Sequence, residues 1–252
     1  MACLTLNRPD AANALDETMA QALLEAAITC DEDQAIRVVL LTGNGKLFCG
    51  GGDLNSFAAV GDSVSHMAKA LTTILNGAIS RFSRMGKPLV VAVNGPAAGA
   101  GLSLTMLGDI VIAAPEAHFS AAYTAIGLTP DLGATWLLPR LVGLRRAQEL
   151  VLTNRRVSAP EAAEIGLITR VAQQDALAEA RVEAQSLANG AVGALGVARG
   201  LLARAFNTAL EEQLMHEANG IAAALRGAEG QEGVRAFLEK RQPDFVRCGD
   251  GR

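Results

Sequence analysis

Apolar positions along this chain follow two periods in turn. "ACLTL" alternates like a short strand, and "LDETMAQALLEAAITC" has helical spacing with acids in its first turn. "IRVVLLTG" is a β-rich run that stops at glycine. The spacing predicts a helix from about Ser65 to Met85, ended by "GKP"; "PLVVAVNG" reads as a buried strand, "AAGAGLSLTML" opens a helix, and "DIVIAAP" is another strand. Strands that are apolar throughout, joined through glycine-rich turns and helices, predict an α/β domain with a largely buried sheet.

Beyond Pro130 the period turns helical in "GATWLLPRLVG", "RRAQELVLTN" and "APEAAEIG", before a last strand, "LITRVA". From about Gln174 onward nearly every segment reads as helix, and the composition changes near Ala191. No linker or repeat intervenes, so residues 1–190 are read as the core and residues 191–252 as a helical appendage to it, not an independent domain.

Two turns interrupt this pattern with unusual backbone freedom. "LFCGGGDLN" carries three consecutive glycines, and "NGPAAGAGLS" follows the strand Leu89 to Val93. Glycine is costly to order, so such runs mark sharp bends or close approaches. Both turns lead from strand to helix, where unpaired N–H groups and a partial positive charge are available. Facing each other, they would form an oxyanion hole. "GPAAGAG" lacks the G-x-G-x-x-G order of a dinucleotide loop, and no Gly-Lys-Ser/Thr is present for a nucleoside triphosphate loop. Spacing alone leaves open the plainer alternative that small residues here only permit tight helix–strand packing.

Composition narrows the class. The chain has 252 residues, of which 50% are hydrophobic and 19% charged, with a mean hydropathy of +0.25, values of a globular protein able to bury a large core. Its apolar runs are far shorter than the ~18 to 20 residues of a membrane span, and the N-terminal "MACLTLNRPD" does not read as a secretory signal. A net charge of -4 argues against nucleic acid as partner. The four cysteines are scattered and the three histidines do not join them, so neither a disulfide framework nor a zinc site is expected, and a cytoplasmic setting fits.

"LNRPDAANALD", "LTGNGKLFCGGGDL", "NGPAAGAGLSL", "DIVIAAPEAHFS", "GLTPDLGATWLLPRLVG" and "LTNRRVSAPEAAEIGLITRV" stand in the order and spacing of the crotonase, or enoyl-CoA hydratase/isomerase, superfamily. The resemblance covers almost the whole chain. It implies a spiral of strand-strand-helix units, C-terminal helices packing subunits into homotrimers or homohexamers, and an acyl-CoA substrate whose coenzyme A is no separate cofactor. In the proteins it resembles, two backbone N–H groups hold the thioester oxygen. Carried over by motif, the donors are Gly52 and Ala100, with Gly51 and Gly99 beside them at the substrate; Asp53 is read as a helix cap. Because the chain starts within the first strand motif, the sheet edge there is expected to be frayed.

The resemblance leaves the reaction open. The places of the two hydratase glutamates fall on Ser103 and Tyr123, neither able to do carboxylate work, which discounts ordinary hydration. Asp131 stands where several isomerases and benzoyl-CoA dehalogenases of this family carry an aspartate, and "GLTPDLGATW" resembles ring-epoxide isomerases acting on phenylacetyl-CoA. Asp131 is thus the candidate base, its pKa expected to rise among Ile126, Leu128, Leu132 and Trp136. The same phrase is also how a helix begins, with aspartate as N-cap. Dehalogenation needs a histidine near Asn76; none is there, and His66 lies about three turns earlier.

Tyr123 is expected to line the acyl pocket and to meet Asp131 or substrate, and residues from about Ser56 to Lys69 to shape that pocket. Arg8 and Lys240 are candidates for the phosphates of coenzyme A, the latter from a neighbouring subunit. "GAGLS" is not a nucleophile elbow, and nothing in the sequence orients His118 as a base, which disfavours a serine hydrolase. His216 reads as a helix-surface residue. A non-catalytic acyl-CoA binder remains the alternative from another class.

Overall fold

The structure is a computed structural model that describes residues 1–249; the last three residues of the expected helical region 191–252 lie outside them. In chain order the elements are β1 (Ala2–Leu6), α1 (Glu17–Glu32), β2 (Val39–Gly43), α2 (Leu54–Ala59), α3 (Val64–Arg84), β3 (Leu89–Val93), β4 (Ala97–Ala98) and α4 (Ala100–Thr105). They continue with β5 (Ile110–Ala113), β6 (His118–Ser120), α5 (Ala134–Val142), α6 (Leu144–Thr153), β7 (Val157–Ser158), α7 (Ala159–Glu164) and β8 (Arg170–Val171). Helices α8 (Ala176–Asn189), α9 (Val192–Arg204), α10 (Leu210–Arg226), α11 (Ala228–Leu238) and α12 (Phe245–Gly249) close the described chain.

Five strands form a wholly parallel sheet in the order β1-β2-β3-β5-β8. Val39 to Leu41 and Leu89 to Val93 are buried on both faces, which is why these segments lack polar alternation. A second sheet, β4-β6-β7, was not visible in the hydrophobic pattern because its strands are only two or three residues long. Strands β3 and β5 each run on into a strand of this small sheet before the next helix, and Cys49, after β2, bridges Ala97. The result is the strand-strand-helix spiral that the resemblance implies. At the edge, β1 pairs with β2 in register from Ala2–Val39 to Leu6–Gly43, so the fraying expected there is not found.

Helix α3 buries Leu71, Leu75, Ala78 and Phe82, an alternating four-and-three spacing that lays one stripe against the core. Each such leucine or phenylalanine contributes about 1.5–3 kcal/mol. Helix α8 instead presents Ala176, Ala180, Ala184 and Ala188, all buried, and these small side chains let it lie close on β2, β3 and β5. Arg37 closes its C-terminal end by donating to Ala188 O and Gly190 O, both at 2.7 Å. The chain then leaves the sheet. Helices α9 to α12 pack mainly on one another, tied back by Arg199, whose guanidinium meets the Asp109 carboxylate at 2.7 Å and the carbonyls of Phe82, Ser83 and Met85. Leu202, Phe206, Leu210, Met215, Phe237 and Leu238 stand exposed on these helices.

Candidate active site

The spiral brings the two glycine-rich turns together. Cys49 O accepts from Ala98 N at 3.0 Å, while Phe48 N donates to Pro96 O at 3.1 Å. A Cβ placed on Gly51 would lie 3.2 Å from Ala98 O and 3.6 Å from Ala100 N, and one on Gly99 would lie 3.7 Å from Gly51 Cα. Gly51 has φ +109° and Gly99 φ +54°, regions that side-chain-bearing residues rarely enter. Here the glycines are spent on close approach and on left-handed backbone, beyond simple packing.

The orientation of the two amides follows from their neighbours. Leu15 N donates to Gly51 O at 2.8 Å and Leu15 O accepts from Asp53 N at 3.0 Å. Gly52, between them, therefore points its own N–H away from Leu15, as alternate residues of extended chain must. Ala100 is the first residue of α4, where an N–H has no partner within the helix. Neither amide donates to an acceptor among the described residues, and Gly52 and Ala100 both line a cavity of about 370 Å³.

Asp131 and Tyr123 lie on the wall of the same cavity. Tyr123 Oη donates to Asp131 Oδ1 at 2.6 Å, and no other residue among those described hydrogen-bonds the carboxylate. Burial raises the Asp131 pKa and the tyrosine bond works against that rise. Burial also raises the Tyr123 pKa, as does the nearby carboxylate, so the shared proton stays on the phenol. Ser103, fully buried, donates from Oγ to the Asp131 carbonyl at 3.3 Å. Left-handed backbone flanks the pair, with φ 60° at Ala122 and 49° at Leu132. Such conformations cost about 1–3 kcal/mol each and persist only where the surroundings impose them.

Asp131 is not a helix cap. Gly133 occupies the N-cap of α5, without any side-chain cap, and the Asp131 carboxylate is turned to Tyr123 instead. Asp53 does cap α2, accepting from Asn55 N at 3.1 Å and Ser56 N at 3.3 Å. The Arg8 guanidinium beside it holds its pKa below the usual carboxylate range. Arg8, expected at the phosphates of coenzyme A, links Asp53 at 3.0 Å and Asp16, the cap of α1, at 3.2 Å through its guanidinium, and it does not line the cavity. Lys240 is exposed just beyond α11 and also lies off the cavity wall of this protomer.

The acyl walls are apolar, with Leu15, Phe57, Leu71 and Leu75 prominent among them. Ser65, Ala68 and Lys69 belong to this lining and come from the segment expected to supply it. Ile126 and Leu128 also line it, but Trp136 is a surface residue stacked under Arg140, 3.8 Å from its ring centre. Asn76 and His66 are exposed, and His118 is off the wall. Among the described residues no cluster of three His, Cys, Asp or Glu is arranged to hold a metal ion.

The enoyl-CoA hydratase/isomerase family model matches residues 1–247. The chain belongs to this family. It is 40% identical over 246 residues to the 1,2-epoxyphenylacetyl-CoA isomerase of Escherichia coli (strain K12), covering 96% of this chain and 94% of that one. It is 35% identical over 246 residues to the 2,3-dehydroadipyl-CoA hydratase of the same organism, covering 96% and 93%. A crystal structure of an enoyl-CoA hydratase from Polaromonas sp. JS666 superposes with a TM-score of 0.92 at 36% identity, over 96% of this chain and 95% of that one. This protein is an enzyme of the enoyl-CoA hydratase/isomerase family, whose members act on acyl-CoA substrates.

Missed in the sequence is the segment Ala12 to Leu15, which holds the first turn. Asn13 is wholly buried and its amide donates to the carbonyls of Asn44, Leu47 and Phe48. An asparagine in an otherwise alanine-rich stretch was the available signal, but its partners lie more than thirty residues away.

Proposed function

We propose that this member of the family is an acyl-CoA isomerase that shifts a double bond, or rearranges a ring epoxide, through an enolate. The carrying observation is one carboxylate, Asp131, with a free oxygen on the wall that also holds two unpartnered amides. The amides bind the thioester oxygen and stabilise the charge that develops on it, each worth about 2.7–4 kcal/mol in the transition state. Asp131 Oδ2 takes a proton from the carbon alpha to a 3-enoyl thioester, the electron pair delocalises into a dienolate, and the same carboxyl returns the proton at the far end of the diene system. Tyr123 keeps Oδ1 occupied, so a single oxygen does the shuttling.

Hydration asks for a second group to activate water. The residues at the glutamate places are the phenol of Tyr123, whose pKa is raised, and the buried hydroxyl of Ser103. The hydratase among the relatives keeps hydration as the competing reading. Further elements of the proposal are a cytoplasmic enzyme, assembled as a homotrimer or homohexamer through the exposed apolar faces of α9 to α11. The test compares wild type with Asp131→Asn on 3-enoyl, 2-enoyl and aryl-CoA thioesters. Isomerisation that disappears in the variant supports the reading; undiminished isomerisation, or hydration as the main wild-type activity, rejects it. Tight acyl-CoA binding without any turnover would favour a scaffold.

A further inference from the structure

The first oxyanion donor sits on a loop, and something must hold that loop to within tenths of an ångström. We infer that Asn13 is a positioning residue for the Gly52 amide. The inference rests on the acyl-CoA reading above for the identity of the ligand, but not on which reaction follows.

Asn13 reaches the turn by three routes. Its Nδ2 donates to Asn44 O and Leu47 O, both at 2.9 Å, and to Phe48 O at 3.1 Å, fixing the stretch that delivers the glycines. Its main-chain oxygen accepts from the Cys49 thiol at 3.2 Å. Its neighbours Ala12 and Leu15 bond directly to the glycine run, Gly50 N donating to Ala12 O at 2.8 Å and Leu15 bracketing Gly52. The remaining side-chain atom, Oδ1, accepts from Arg8 N at 2.8 Å, so the amide has both ends engaged. Residues 12 and 13 both carry left-handed backbone, φ 55° and 52°. Asparagine tolerates that conformation while supplying donors, a combination glycine and alanine lack.

The side-chain bonds to Asn44, Leu47 and Phe48 join segments thirty or more residues apart at the base of the donor, and neither Asn13 nor these three residues lines the cavity. Loss of the side chain would take the Nδ2 donor from Asn44 O and from the buried Phe48 O and leave Leu47 O with Asn94 Nδ2 at 3.3 Å, and water or a shifted loop would fill the gap. A displacement of about 1 Å at a catalytic group costs roughly a hundredfold in rate.

The discriminating variant is Asn13→Gly, which favours the left-handed backbone and removes only the amide. The probes are butyryl-CoA, which has the carbonyl oxygen, and S-butyl-CoA, a thioether which lacks it; affinities are measured by titration calorimetry, with Tm as the check on folding. Wild type is expected to prefer the thioester by about tenfold, the worth of two ordinary hydrogen bonds. In the variant that preference should shrink to about threefold, the worth of the one bond Ala100 still makes, thioether affinity should hold, and kcat should fall roughly ten- to a hundredfold. A folded variant that keeps the preference overturns the role of Asn13. A wild type without preference overturns instead the oxyanion reading beneath it. Should Asn13→Gly not fold, Gly50→Ala pushes on the same brace from the other side, its Cβ 3.3 Å from that of Ala12, and the same selective loss is expected.

Discussion

Adding one methyl group at Gly51 tests the convergence of the two turns. Gly51→Ala places a Cβ 3.2 Å from Ala98 O and 3.6 Å from Ala100 N, in the gap between the donors, on a backbone with φ +109°. The backbone alone costs about 1–3 kcal/mol for a residue with a side chain. At roughly 2–4 °C per kcal/mol for a chain of this size, Tm should fall by about 2–12 °C. Because the clash is with rigid main chain, the turns must separate by a few tenths of an ångström, and kcat/KM should fall on the order of a hundredfold. Thermal unfolding followed by circular dichroism gives the first quantity and a coupled assay on a 3-enoyl-CoA the second. A variant that loses stability but keeps wild-type kcat/KM would refute the reasoning, since the donors would then tolerate the separation.

Asp131→Asn should keep its Tm, as the carboxylate caps nothing, while isomerisation falls by about two to four orders of magnitude in a steady-state assay. Tyr123→Phe removes the bond that favours the charged carboxylate, so the Asp131 pKa rises further. A base works only above its pKa; the acid limb of the kcat/KM profile should therefore move to higher pH. Arg199→Met removes the cation between Asp109, whose carboxylate keeps the Leu89 amide, and three carbonyls at the joint between core and α9, and should cost about 1–3 kcal/mol in denaturant unfolding. Glu232 is held down to about 2 by Arg241 and the Asp244 amide. Its contribution to stability is full above the ordinary carboxylate range and is lost as pH falls toward that value, so the acid-side decline of Tm should flatten in Glu232→Gln.

What the sequence disclosed was whatever depends on local order. The helix at residues 64–84 was legible because its apolar stripe is long, and the strand at residues 89–93 because it is buried on both sides. The spiral and the meeting of the two glycine-rich turns came through whole motifs held in register. The small second sheet was not legible: Ala97–Ala98 is too short for any period, and its pairing with Phe119–Ser120 is made only on folding. The pairing of Arg8 with Asp53 was not legible because the two are 45 residues apart in sequence. The sequence offered Asp131 as the base with a helix cap as the alternative; the left-handed turn at Leu132 leaves the cap position to Gly133 and the carboxylate on Tyr123.

A crystal structure with a non-reacting acyl-CoA bound bears on the account at its root. The thioester oxygen is expected at about 2.7–3.1 Å from both the Gly52 and the Ala100 nitrogen, with Asp131 Oδ2 within reach of the carbon next to the carbonyl. A carbonyl oxygen held elsewhere in the cavity, with either amide turned toward water or protein, would contradict it.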